Sequence, residues 1–339
     1  METCRTGWSG RVQGDAELVK FLVQEGNANV NLVVEDYHTA VSEACRIGAL
    51  DIVRYLVEEA QASVDVRTES DDHISALAFA CIGPSTGMLG LVKYLVEEAN
   101  AVVDPPLMAG LCKSPLEIAS SRGLQDIVKY LVEQGNADVN LQFWNIKYGS
   151  ALASAVLAKR FDVIKYLVAE AHADVNLQLH FGLYCTALVA ALSVGSRDMV
   201  QFLVEEGNAN INLQFISGSN DNFGSTLEYA MIYSKKFGMD VLEYLVSHKT
   251  ADVNIRHLQG PYANPLSRAI CEEYAKGVQI LLSAGASADF RWNSGSLLGV
   301  PNSSLKQVQY SGGGGAEVVD MLRKADPNRW NDEAIEQIP

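Results

Sequence analysis

Basic residues are in short supply in this chain. Its 339 residues include 26 Lys and Arg against 41 Asp and Glu, a formal net charge of -15. Nucleic acid and anionic membrane both need a basic surface, so neither is an expected partner. Long apolar runs are missing as well, and no stretch reaches the roughly 18 apolar residues that a membrane-spanning helix needs. The N-terminus, Met1-Glu2-Thr3-Cys4-Arg5-Thr6-Gly7-Trp8, has no apolar signal core. The 6 cysteines are scattered without a single CxxC pair. Free thiols and a reducing compartment are expected, cytoplasmic with the nucleus as the alternative.

Motifs that carry chemistry are equally scarce. No G-x-S-x-G occurs, and no serine or cysteine nucleophile stands out. Gly312-Gly313-Gly314-Gly315 could suggest a phosphate cradle, but Ala316-Glu317 follow where a P-loop needs Lys and Ser/Thr. The run is read as an inter-helix turn. His38, His73, His172, His180, His248 and His257 never pair at i,i+4, so they are read as solvated loop residues rather than metal ligands. The sequon Asn302-Ser303-Ser304 is read as coincidental. No catalytic residue, cofactor or metal is expected.

What is present is a repeat. The stretch Asp126 to Asn140, with Lys129-Tyr130-Leu131-Val132 at its centre, returns along the whole chain. Its anchoring leucines are Leu22, Leu56, Leu95, Leu131, Leu167, Leu203, Leu245, Leu281 and Leu322, and four of their spacings are 36 residues. A period of this size means a stacked array in which neighbouring repeats share one continuous core.

One copy shows the physics. Ser114-Pro115-Leu116-Glu117 is a capping box with proline at the first helical position, and Ser225-Thr226-Leu227-Glu228 repeats it. Alanine recurs five residues after the cap, as Ala44, Ala80, Ala119, Ala155, Ala191, Ala230 and Ala269, where a methyl lets two helices approach closely. Gly48, Gly123 and Gly195 end this first helix in their copies, where a positive φ is cheap. Asp126 opens a second helix and suits its N-terminal dipole. Ile127, Val128, Leu131 and Val132 form its apolar stripe, with Lys129 and Glu133 facing water. Gly135 closes it, and Asp138-Val139-Asn140 leads into an extended connection. Cys45 and Cys81 hold equivalent places in adjacent copies, which reads as buried packing.

Ser114-Pro115-Leu116 with Ala119 and Gly123, and Ala137-Asp138-Val139-Asn140, resemble the T-P-L-H-x-A-x-x-x-G and G-A-D-V-N signatures of the ankyrin-repeat family. The resemblance runs over roughly residues 5–325. It implies an all-α ankyrin-repeat solenoid of stacked helix–turn–helix units with projecting β-hairpins, about nine repeats including degenerate caps. The units fall at about 5–31, 35–65, 71–104, 110–140, 146–176, 182–212, 221–254, 260–289 and 301–325, with a tail at 326–339. At about 8–10 Å per helix layer they would make an extended right-handed stack. Each copy departs from the family in one respect. The histidine after T-P-L is replaced by Ser42, Ala78, Glu117, Ala153, Val189, Glu228 or Ser267, so its hydrogen bonds must be replaced or lost. Most units also run three residues longer than the family's usual length of about 33, with one extra residue at the end of the second helix, as Asn136 is, and two more in the hairpin. Insertions occur between the helices at Gly83-Pro84-Ser85-Thr86-Gly87 and near Lys235-Lys236.

The acidic pairs Glu58-Glu59, Glu97-Glu98 and Glu205-Glu206 are read as solvated surface. In the ankyrin family the asparagine at Asn140, Asn176, Asn212 and Asn254 can be hydroxylated; a side chain bonded to the hairpin backbone is the simpler reading. Apolar residues on hairpins, Phe143-Trp144, Tyr148, Phe181, Tyr184, Phe215 and Phe223, leave two readings open, packing between hairpins or exposed anchors.

The resemblance implies a non-enzymatic scaffold that binds a protein partner through hairpin tips and the concave first-helix surface. The alternative is a regulatory subunit or substrate adaptor of an enzyme on another chain. The resemblance implies contacts from the residues just before the T-P-L cap and from positions seven and eight after it, the latter including Leu157, Val194, Ile232 and Tyr233. Together with Trp144, Tyr148, Phe181 and Tyr184 these are the candidate partner-binding residues. A charge excess of one sign discourages self-association, so a monomer is expected.

Overall fold

In the computed structural model, residues 15–34, 39–66, 75–84, 87–105, 114–142, 149–179, 185–215, 224–256, 264–272, 274–287 and 314–327 are described. The chain divides into two compact bodies, residues 1–187 and 188–339.

The first body is a series of helix pairs. Its helices are α1 (Ala16–Gln24), α2 (Ala40–Ile47), α3 (Leu50–Arg54, continued by a π turn over Tyr55–Glu59), α4 (Ala76–Ile82), α5 (Met88–Glu97), α6 (Pro115–Arg122), α7 (Gln125–Glu133), α8 (Ala151–Leu157) and α9 (Phe161–Ala169). First helices stack on first helices, α2 on α4, α4 on α6 and α6 on α8, while α5, α7 and α9 stack likewise. The small residue at the centre of each first helix permits this approach: Ala44, Ala80, Ala119 and Ala155 are all buried. So are Cys45 and Cys81, packed as the repeat register requires.

The second body repeats the plan with α10 (Ala187–Ser193), α11 (Arg197–Glu205), α12 (Thr226–Phe237), α13 (Asp240–Ser247), α14 (Pro265–Cys271), α15 (Ala275–Ser283) and α16 (Gly314–Ala325). Here α12 packs on α14, α11 on α13, α13 on α15, and α15 on α16. Among the described residues one hairpin has paired strands, β1 (Gln214–Phe215) and β2 (Gly224–Ser225), antiparallel with Phe215 opposite Gly224.

The predicted caps hold. Ser114 Oγ accepts from the amides of Leu116 and Glu117, and Gly48, Gly123 and Gly195 have φ of 78°, 76° and 66°. The missing family histidine is partly compensated. Ser42 Oγ accepts the Thr39 amide, Ser267 Oγ the Asn264 amide and the Glu228 carboxylate the Ser225 amide, so in three repeats the residue that stands for histidine satisfies its own cap.

The extra residue at the end of the second helix is left-handed: Asn136 has φ 52°, and Asn27, Gln61, Asn100, His172 and Asn208 match it at 47–54°. That residue lets the Leu131 carbonyl accept from Ala137, six residues on, as Leu95 does from Ala101 and Leu203 from Ala209. The insertion near Lys235-Lys236 is not a loop; it lengthens α12 to 12 residues. The glycine run is not wholly a turn either, since α16 already starts at Gly314.

Candidate functional site

The sequence Leu213-Gln214-Phe215 alternates, and the strand pairing turns Phe215 inward, where it is 3% exposed. Gln214 points the other way and donates from Nε2 to the Arg256 carbonyl at 2.9 Å. Against Phe215 lies Tyr229 of α12, edge-on, with ring centroids 5.9 Å apart. One helical turn later Tyr233 stacks on Tyr229 at 6.3 Å and an interplanar angle of 22°. Residues i and i+4 share a helix face, so the lengthened α12 carries a braced aromatic row. Edge and offset stacking of this kind are the favoured aromatic geometries.

Ile232 and Tyr233 are partly exposed on this face. Val194 is also partly exposed, and it precedes Gly195. A Cβ at Gly195 would collide with the Phe237 ring, so that ring lies directly over the turn that ends α10. Phe237 is 43% exposed and has the Lys236 ammonium 4.8 Å from its centroid. Neither Tyr229 nor Phe237 was singled out from sequence. Tyr229 is signalled by its four-residue spacing from Tyr233, whereas Phe237 falls in a segment whose sequence reads as an inter-helix insertion.

Beneath the row runs a polar network. Glu228 is fully buried, and its carboxylate stands 3.8 Å from Arg268, which in turn donates to Glu272 at 3.0 Å. Lys235 reaches Glu272 at 2.6 Å and lies over the Tyr274 ring. Burial pushes the Glu228 carboxyl up to about 8, against the downward pull of Arg268 and the Ser225 amide. For Glu272 burial also works upward, but the bonds from Lys235 and Arg268 outweigh it and hold the carboxyl below its usual range.

In the first body Leu157, the last residue of α8, is partly exposed. Nearby, Arg160 donates from Nε to the Ser121 carbonyl at 3.0 Å and lays its aliphatic stem on Gly123. Trp144, Tyr148, Phe181 and Tyr184, with Phe143 and Phe223, lie outside the described residues.

The hairpin asparagines have a structural task. Asn140 Oδ1 accepts the Asp174 amide at 2.8 Å, Asn212 Oδ1 the Asp252 amide at 2.8 Å, and Asn254 Oδ1 the Ser287 amide at 2.6 Å. Each side chain ties its hairpin to the next. Asp65 and Asp104 do the same for Val102 and Asp138. Among the described residues no group of three or more His, Cys, Asp or Glu could hold a metal ion, and no helix is long and apolar enough to cross a membrane.

A family model described as "Ankyrin repeats (3 copies)" matches residues 9–105, 85–179, 116–215 and 152–257, overlapping spans that together cover most of the chain. The chain belongs to the ankyrin-repeat family. Such repeats are in general protein–protein interaction modules. Among solved structures the chain is similar to the ankyrin repeat domain of Bcl-3, a member of the IkappaB protein family, at 24% identity and a TM-score of 0.46, covering 63% of this chain and 86% of that one. Comparison with curated proteins gives no match.

Proposed function

We propose that this ankyrin-repeat chain is a non-enzymatic interaction scaffold whose protein partner docks on hairpin tips and first-helix faces. The observation that carries this reading is the row Phe215–Tyr229–Tyr233, in which a buried ring braces a partly exposed one. A ring already held in its bound rotamer loses little freedom on binding, and aromatics dominate interface energies. Ile232, Val194 and Phe237 extend the apolar area on the same body. Leu157 offers a second apolar point on the other body, and Trp144, Tyr148, Phe181 and Tyr184 remain candidates on hairpins.

The test uses a partner isolated with the full chain as bait and then purified. Tyr233→Glu and Leu157→Glu, singly and together, are expected to weaken its binding, the pair by at least ~2 kcal/mol, the hot-spot scale. Melting temperatures should hardly change, because both positions are partly exposed. Binding equal to the parent's, at unchanged fold, would place the site elsewhere.

A further inference from the structure

The second helices carry their own ladder. Tyr55, Tyr94, Tyr130 and Tyr166 occupy one register position and are 6%, 3%, 7% and 2% exposed. Each ring reaches back to the preceding second helix. There it meets a cation, Lys20 over Tyr55, Arg54 over Tyr94, Lys93 over Tyr130 and Lys129 over Tyr166, with 4.6–5.8 Å to the ring centroid. In several repeats the hydroxyl meets a carboxylate: Tyr130 donates to Glu97 at 2.9 Å, Tyr166 to Glu133 at 3.1 Å and, in the second body, Tyr244 to Glu205 at 3.0 Å. Thus a phenol fills the gap between consecutive second helices.

Between α13 and α15 all the ladder positions change at once. Ile280 stands where the tyrosine should be, and its side chain is too short to cross the gap. Ser247 replaces the accepting glutamate and Glu243 replaces the cation. At this place an open groove of about 640 Å³ is lined by Glu243, Val246, Ser247, Ile280, Ala284 and Lys276, among others. Lys276 holds the register of Asp126 and Asp162, so a cation returns to the gap from the opposite helix. The charges are exchanged between the two helices, yet the slot still offers an apolar floor, one cation and one carboxylate.

We propose that this groove is a docking slot for a tyrosine side chain presented by a short segment of a partner protein. The occupant follows from what the fold itself places in the equivalent gaps. A phenol ring would cover Val246, Ile280 and Ala284, Lys276 would approach its face, and its hydroxyl would donate to Glu243 or to Ser247 Oγ. A guest ring at this position completes the ladder that Ile280 interrupts. The slot lies on second helices, apart from the first-helix row proposed above, and does not depend on it.

The test selects a phage-displayed random peptide library on the full chain, then measures the leading synthetic peptides by fluorescence anisotropy. In the double variant Ile280→Tyr, Ser247→Glu the protein's own phenol fills the slot. Peptides that depend on the slot are expected to carry a tyrosine, to bind that variant at least tenfold more weakly, and to lose at least tenfold when the tyrosine becomes alanine. Tyr233→Glu should leave them unaffected. If the double variant does not fold, Ile280→Asp at this partly exposed position makes the same comparison. The proposal is overturned if no selected peptide distinguishes the variants, or if those that do lack an aromatic residue. It is also overturned if sedimentation shows a dimer of the parent that the filled slot abolishes, since the occupant would then be a second copy.

Discussion

The hydroxyl of Tyr130 donates to Glu97 Oε1 at 2.9 Å, joining two consecutive repeats through their second helices. The same bond recurs from Tyr166 to Glu133 and from Tyr244 to Glu205. Burial, followed by the bonded glutamate, pushes these three phenols up to about 12, so each remains a donor at any ordinary pH. Nearest-neighbour coupling decides how cooperatively an array unfolds. In this chain the second helices contribute to it through these rings.

Tyr130→Phe keeps the ring under the Lys93 ammonium and removes only the hydroxyl bond. It should cost about 0.5–1.5 kcal/mol, the net worth of one such hydrogen bond. Tyr130→Ala should cost ~3 kcal/mol or more, because the interhelix gap opens. A double-mutant cycle of Tyr130→Phe with Glu97→Ala, which removes the acceptor altogether, followed by urea unfolding, measures the coupling. Strict additivity would mean that the bond contributes nothing.

Asp104 stands in the hairpin ladder where other repeats have Asn31, Asn140, Asn212 or Asn254. It accepts the Asp138 amide at 2.7 Å, but burial raises its carboxyl and the Asp138 carboxylate opposes its charge. A carboxyl raised on folding contributes most below its unfolded value and loses that contribution as pH rises. Asp104→Asn keeps an acceptor without the charge. It should stabilise the chain by about 0.5 kcal/mol at pH 7, within the range of exposed charge effects, and by less near pH 4. A gain that grows on acidification would contradict this.

Cys45 and Cys81 should resist thiol reagents in the native protein. Both are buried, and desolvation holds the Cys81 thiol up to about 12 and raises that of Cys45 as well. The thiolate is the reactive species. Mass mapping after brief alkylation at pH 8 should leave both unlabelled until denaturant is added, and early labelling of either would show that its helix opens.

Much of this architecture was legible in the sequence. The leucine register, the alanine at the centre of each first helix and the glycines at Gly48, Gly123 and Gly195 each follow from one local constraint, and the structure bears them out. The ladders were harder to read because they join residues some 33 positions apart. Glu97 and Glu205 looked like solvated charge. They are exposed, yet each accepts from the tyrosine of the following second helix. Tyr130 sits beside a clear apolar stripe, and nothing local shows that its ring crosses to a neighbour. At the candidate site, Tyr233 and Ile232 were found by register, whereas their brace depended on Phe215 turning inward and on an insertion becoming helix.

Glu228 allows the sharpest pH test. It is buried between α12 and α14, faced by Arg268 and Glu272 from the α14 side and by the Ser225 amide from its own cap, with Lys235 bound to Glu272 close by. Burial raises its carboxyl from an ordinary 4.5 to about 8. The folded state therefore holds the proton more tightly than the unfolded chain does. Its contribution to stability is fully present below pH 4.5 and is lost as pH rises through about 8. Glu228→Gln preserves an acceptor for the Ser225 amide and cannot ionise, while Arg268 keeps Glu272. The variant should match the parent near pH 4.5, gain on it as pH rises, and hold a constant advantage above pH 8. Urea midpoints at several values across this range measure the difference. Parallel pH profiles for variant and parent would show that Arg268 and the amide fully compensate the buried charge.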